Sequence, residues 1–220
     1  MINLNSDMKI RKIKISQKER ILRSVICVKG IKKSDCSDVI EKLCLVPYVF
    51  VSALKDCKNF KINICKDNIT NIYKELKSIT PRGWDKKYSW DDVNGCFASC
   101  DHTDNFNVSI ALTKDERGYL IDVNKTGSHC VVLHEMGHAV DHLYRISNSK
   151  KFKNVRRKDF DRLTPYLKQE GEAGLLETFA EVFARFYGDC DYLKEELPNL
   201  YNYFLMLTVD INPDQQLHHC

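Results

Sequence analysis

The stretch Val132-Leu133-His134-Glu135-Met136-Gly137-His138-Ala139-Val140-Asp141 restricts this chain more than any other. It contains His-Glu-x-x-His. On a helix, residues four apart share a face, so His134 and His138 can direct both imidazoles at one ion. Zinc accepts neutral imidazole nitrogen, and a catalytic zinc takes three protein ligands and keeps one position for water. Glu135, beside the first histidine, can reach that water as a general base. Val132, Met136, Ala139, Val140 and Leu143 recur at i, i+4, i+7, i+8 and i+11, which predicts a helix whose opposite face is buried. The competing reading is an amphipathic helix with two surface histidines, and the motif alone does not exclude it.

A two-histidine site needs a third ligand. His142 is excluded by geometry, because it would stand about 12 Å from His134 along a continuous helix. The chain also lacks the longer His-Glu-x-x-His-x-x-Gly-x-x-His pattern, in which a glycine brings a third histidine round. A second helix is expected over Glu177–Tyr187, ended by Gly188, with Leu176, Phe179, Ala180, Phe183 and Phe186 as its apolar stripe. Glu177 and Glu181 share one of its faces. One carboxylate can complete the zinc site while the other orients a ligand histidine. Alone, both would read as solvent-facing; beside an incomplete site, the ligand reading prevails.

Composition narrows the remainder. A chain of 220 residues, 43% of them hydrophobic, can bury a core without disulfides. Its ten cysteines follow no regular framework, and Cys96-x-x-x-Cys100-x-His102 is a weak second metal candidate. Residues 1–35 hold ten Lys or Arg against three acids, yet no aromatic residue to stack on bases. A solvated helix face is therefore expected there, with no nucleic-acid partner. No stretch reads as a signal peptide or a membrane span.

In chain order, Ser16–Glu19 reads as a capping box opening a helix to about Val28, and a second helix is expected over Asp38–Leu45. Pro47–Val51 reads as a buried strand, and Phe60, Ile62 and Ile64 as a half-exposed one. Asn68 is expected to cap a helix bearing Ile69, Ile72, Tyr73, Leu76 and Ile79, stopped by Pro81. The loop Gly83–Gly95 carries both tryptophans and suits either a lid or a plug over the core. Strands are expected at Asn107–Thr113 and Tyr119–Val123, the second offering an edge to an extended peptide. Ser147–Arg162 reads as a polar surface connection.

Three motifs in this order carry a family likeness: Gly83-Trp84 with Trp90-Asp91-Asp92-Val93-x-Gly95, the Val132–Asp141 stretch, and Glu177-x-Phe179-Ala180-Glu181-x-Phe183-Ala184. Together they resemble the catalytic domain of anthrax lethal factor and the Pro-Pro endopeptidases built on it, over about Pro81 to Tyr187. The resemblance implies a gluzincin-type zinc endopeptidase acting outside the cell that made it. His134 and His138 match the histidine ligands, Glu135 the general base, Glu177 the glutamate ligand, and Trp84 a tryptophan at the substrate cleft. This leaves Glu181 to orient a ligand. The family's oxyanion tyrosine stands seven residues before the ligand glutamate. Here that place is Glu170, and a four-residue insertion at Gln169–Glu172 would deliver Tyr166, eleven residues before Glu177, to the site instead. Asn94 stands where the family has proline.

These readings combine into an α+β zincin with a small mixed sheet, an active-site helix and a helical C-terminal lobe. Residues 1–80 are expected to pack on a catalytic unit at 81–220, with one zinc per chain and a protein or peptide substrate, cleaved near proline. The alternatives are a lethal-factor-like toxin protease of other specificity and a metal-stabilised binding or delivery module. Glu135 speaks against the module, since a structural zinc site needs no base and is closed by a fourth ligand.

Overall fold

A computed structural model of the chain describes residues 17–81, 84–100, 105–116, 118–122 and 128–211. The helix α1 (17–25) leads directly into β1 (Ile26–Lys29), followed by α2 (Ser37–Leu43), α3 (Tyr48–Asp56) and β2 (Lys61–Lys66). Then come β3 (Gly95–Cys100), β4 (Asn105–Asp115), β5 (Gly118–Leu120) and the motif helix α4 (Val131–Tyr144). The C-terminal part is helical: α5 (Lys150–Asp159), α6 (Gly171–Gly188), α7 (Asp191–Glu196) and α8 (Pro198–Ile211).

The sheet runs β1-β2-β4-β3. Its first two ladders are parallel, β3 is antiparallel to β4, and β5 pairs with the far end of β4. As the middle strand, β4 must bury both faces, and Val108 through Leu112 are all buried. Val108, Ile110 and Leu112 join the large core with α2, α3, α4, α6 and α8. Ala111 turns to the other face, where Cys65, Ile69, Val93 and Cys96 form a small second core. Trp84 and Trp90 pack on that second core, so the tryptophan loop plugs the sheet's outer face.

Several local expectations are corrected. The segment at Pro47–Val51 is helical, with Pro47 as the N-cap of α3 and Phe50, Val51 and Leu54 buried along one side. A short apolar run does not distinguish a strand from a buried helix, and proline suits a helix start, where its missing N–H goes unneeded. The first helix stops at residue 25 because Ile26 and Val28, both β-branched, join a parallel ladder with β2. Its proposed cap, Ser16, lies outside the described residues.

No long helix follows Asn68. Two single 3-10 turns form at Ile69–Asn71 and Lys74–Leu76, between residues of positive φ at Asp67 and Ser78. Tertiary bonds hold the segment instead. Thr70 Oγ1 donates to Asp91 at 2.6 Å, the Ser78 N–H donates to the same carboxylate, and Tyr73 meets Ser109 at 2.9 Å. The surface connection is in fact helix α5, capped by Ser149, with Phe152 fully buried against Phe179 and Tyr203. Strand β3 had no expectation at all.

Candidate active site

Helix α4 lies across β3 and β4 and packs along α6. The two helices approach very closely at Gly137, where a Cβ would stand 2.9 Å from Ala180 Cα and 3.1 Å from Phe183 Cβ. That approach carries Glu177 to the histidines. His134 Nε2 and Glu177 Oε2 are 3.1 Å apart, His138 Nε2 and Glu177 Oε2 3.4 Å, and the two Nε2 atoms 3.1 Å.

Three ligands at a tetrahedral zinc, each about 2.0–2.1 Å away, stand about 3.3–3.4 Å from one another. The observed triangle is of that size. Two imidazole lone pairs and a carboxylate facing one point repel unless a proton or a cation lies between them. His134, His138 and Glu177 therefore form a group that could hold a metal ion. Burial pushes the Glu177 carboxyl up, but hydrogen bonds and charge from both histidines outweigh it and hold the group well below the usual carboxylate range.

Glu181 stands behind the triangle. It lies 3.3 Å from His134 Nδ1 and accepts from Ser128 Oγ at 2.6 Å, the His129 N–H at 3.2 Å and Arg185 Nε at 2.9 Å. Burial opposes its ionisation, yet the bond and charge of His134, with Ser128 and Arg185, hold its carboxyl below the ordinary value. An acceptor at Nδ1 keeps the proton there and turns the Nε2 lone pair to the centre.

Glu135 is buried beneath the start of β3. The Phe97 backbone N–H donates to its carboxylate, and a Cβ at Gly95 would come within 2.9 Å of its Oε1. Burial pushes this carboxyl up, against the pull of His134 and His138. Tyr166 reaches the same space from the turn before α6, its hydroxyl interacting with the Glu177 carboxylate and the Trp84 side chain. Burial first, and Glu177 second, push its phenol well above the usual value, so it stays protonated at neutral pH. Trp84 and Tyr88, edge to face at 5.8 Å, line the cleft opposite, and β3 borders it with Cys96, Phe97 and Ser99.

The family model for the anthrax toxin lethal factor, N- and C-terminal domain, matches residues 12–207. The chain belongs to that family. Among solved structures, the lethal-factor-like chain is similar to the Pro-Pro endopeptidase PPEP-2 from Paenibacillus alvei. The likeness covers 85% of this chain and 98% of that one, with TM-score 0.55 and 21% identity. It speaks for a shared α+β fold with a small mixed sheet. No curated protein sequence matches.

Within this family frame the structure brings all seven expected site residues, Trp84, Glu135, His134, His138, Tyr166, Glu177 and Glu181, to one cleft. The expected peptide edge at Tyr119–Val123 is displaced. β5 ends at Leu120 on the far end of β4, and Val123 lies outside the described residues. The strand along the cleft is β3, whose second edge is unpaired among the described residues. Its small residues at Gly95, Ala98 and Ser99 disguise it as loop. Cys96 is buried with a free thiol beside Glu135 and has no metal partner among the described residues, while Cys100 and His102 offer no described side chain. His142 packs between Phe97 and Phe106, away from the metal group. Among the described residues no helix is long and apolar enough to cross a membrane.

Proposed function

We propose that this chain is a zinc-dependent endopeptidase that cuts extended protein segments. The observation that carries the reading is the convergence of His134, His138 and Glu177 within 4.8 Å, beside a buried carboxylate that ligates nothing. His134, His138 and Glu177 hold one zinc per chain, and Glu181 fixes the tautomer of His134. Zinc, when bound, supplies Lewis acidity toward a water and a carbonyl oxygen.

The chain's own residues do the rest. A peptide lies along the free edge of β3 and pairs with its backbone, which is blind to side chains. Glu135 takes the proton of the attacking water and delivers it to the leaving amine. The Tyr166 phenol, kept protonated, donates to the carbonyl oxygen as negative charge builds there.

Selectivity must come from side-chain pockets beside β3. Trp84 offers a flat apolar face to a proline ring, which has no N–H to satisfy. Cleavage near proline follows as the specificity. Action outside the producing cell is inferred from family alone.

The test is metal analysis of the purified chain, then digestion of a peptide library by wild type beside Glu135→Ala. Zinc at one per chain and cleavage lost in Glu135→Ala support the reading. A metal-loaded chain that cuts nothing in the library would remove it. Cleavage indifferent to proline would keep a lethal-factor-like endopeptidase and discard the proline preference.

A further inference from the structure

One buried cation takes no part in the chemistry described so far. Arg156, on α5, is buried, and among the described residues its guanidinium forms no ion pair. Taking a guanidinium out of water without a carboxylate is unfavourable, and its bonds must offset that cost.

Those bonds all lead to one place. Arg156 Nη2 donates to the Leu167 carbonyl at 2.5 Å, and Nε donates to Thr178 Oγ1 at 2.9 Å. The Thr178 hydroxyl lies 3.2 Å from the same Leu167 carbonyl and 2.6 Å from that of Gly174. Leu167 directly follows Tyr166, and Thr178 directly follows Glu177. Phe160 covers the guanidinium, 5.0 Å from its ring centre. Gly174 leaves the space: a Cβ there would stand 1.9 Å from the Gln169 carbonyl and 2.8 Å from Arg156 Nη2.

The turn at 164–170 buries Leu167 in the main core, and these bonds anchor its backbone there. It carries Tyr166 into the cleft without a helix or strand of its own. Most of its remaining bonds are internal: Lys168 N to Thr164 O, Leu167 N to Thr164 Oγ1, and Gln169 Nε2 to Tyr166 O. Lys168 Nζ also reaches the carbonyl of Asp161 just upstream. These fix the turn's shape more than its place. The bonds through Arg156 and Thr178 tie it to α5 and α6.

We infer that Arg156 is a positioning residue: it locks the Tyr166 turn to the helix that carries Glu177, so that the phenol and the ligand keep one spacing. This rests on the peptidase reading and on Tyr166 acting there. A displacement of about 1 Å at a reacting group can cost about 100-fold, so loss of the lock is read mainly in kcat.

The test is a double-mutant cycle on a peptide that the wild-type chain cleaves. Arg156→Met should lower kcat about 10- to 100-fold, with KM and zinc content unchanged and Arg156→Lys intermediate. In a Tyr166→Phe background, Arg156→Met should lower kcat no further. In zinc-free protein, Arg156→Met should also lose hydrogen-exchange protection at the Lys168 amide. If Arg156→Met does not fold, Thr178→Val enters the same cycle. Losses that multiply, full kcat in Arg156→Met, or unchanged exchange at Lys168 would each overturn the positioning role and leave the peptidase reading intact. Full kcat in Tyr166→Phe would overturn both this role and the assignment of Tyr166.

Discussion

Gly137→Ala tests whether the spacing of two helices sets metal affinity. The added Cβ would meet Ala180 Cα at 2.9 Å and Ala180 O at 3.1 Å, whereas carbon atoms rest at about 3.5–4.0 Å. α4 and α6 must therefore separate by about 0.6–1 Å at this point. Glu177 lies three residues before Ala180 on α6, so the same movement draws its carboxylate from His134 and His138. Zinc sites tolerate only about 0.2 Å in ligand distance. Zinc affinity should fall about 10- to 100-fold, as for a lost orienting contact.

The stability of the zinc-free chain should change little or fall slightly. Alanine gains about 1 kcal/mol over glycine within a helix, and overpacking costs about 1–3 kcal/mol. Competition for zinc against a chelator, with thermal unfolding of metal-free protein, separates the two effects. A variant that holds zinc as tightly as wild type and melts higher would refute the reasoning.

Glu177→Ala should abolish metal retention, whereas Glu181→Ala should weaken it about 10- to 100-fold, measured by the same competition. Equal losses in the two variants would erase the distinction between ligand and orienting residue. Gly95→Ala places a Cβ 2.2 Å from Val131 Cγ2 and 2.9 Å from Glu135 Oε1. It should lower kcat with zinc retained and cost about 1–3 kcal/mol in denaturant unfolding. Phe152→Ala, in the segment that reads as surface from sequence, should cost about 3–5 kcal/mol; a cost below 1 kcal/mol would return that segment to the surface.

The elements legible in the sequence are those whose apolar residues and chemistry-bearing pairs both follow the helical repeat. α4 and α6 keep a full helical period although α4 is packed by β3, β4 and α6 together, and their chemistry-bearing residues stand at i, i+4. The α+β class and the family follow from those stretches and the tryptophan loop. Elements shaped by partners distant in sequence were obscure. Cys96, Ala98 and Ser99 of β3 are small because the strand lies between a helix and a cleft. Ile69–Ile79 looks helical by spacing, yet Asp91 and Ser109 claim its polar groups. Arg156 and Asp159 gave α5 a surface composition although both are buried, Asp159 accepting from the Leu200 N–H and from Asn199. The lock proposed for Tyr166 was invisible because it closes on the Leu167 backbone carbonyl, a group that every residue has.

The three groups of the metal triangle are separated by 43 residues of chain, His134 from Glu177, and meet only across the α4–α6 contact. During synthesis both histidines leave the ribosome well before the glutamate does. Until α6 docks, they offer an ion two donors and no charge. Tight capture of an ion would therefore wait for a folded chain that has brought Glu177 to the histidines. An ion held there would fasten α4 to α6 and shift the folding equilibrium by mass action, about 2.7 kcal/mol at a hundredfold excess over its dissociation constant. Chelation would then do more than silence the site: it would loosen the contact between α4 and α6.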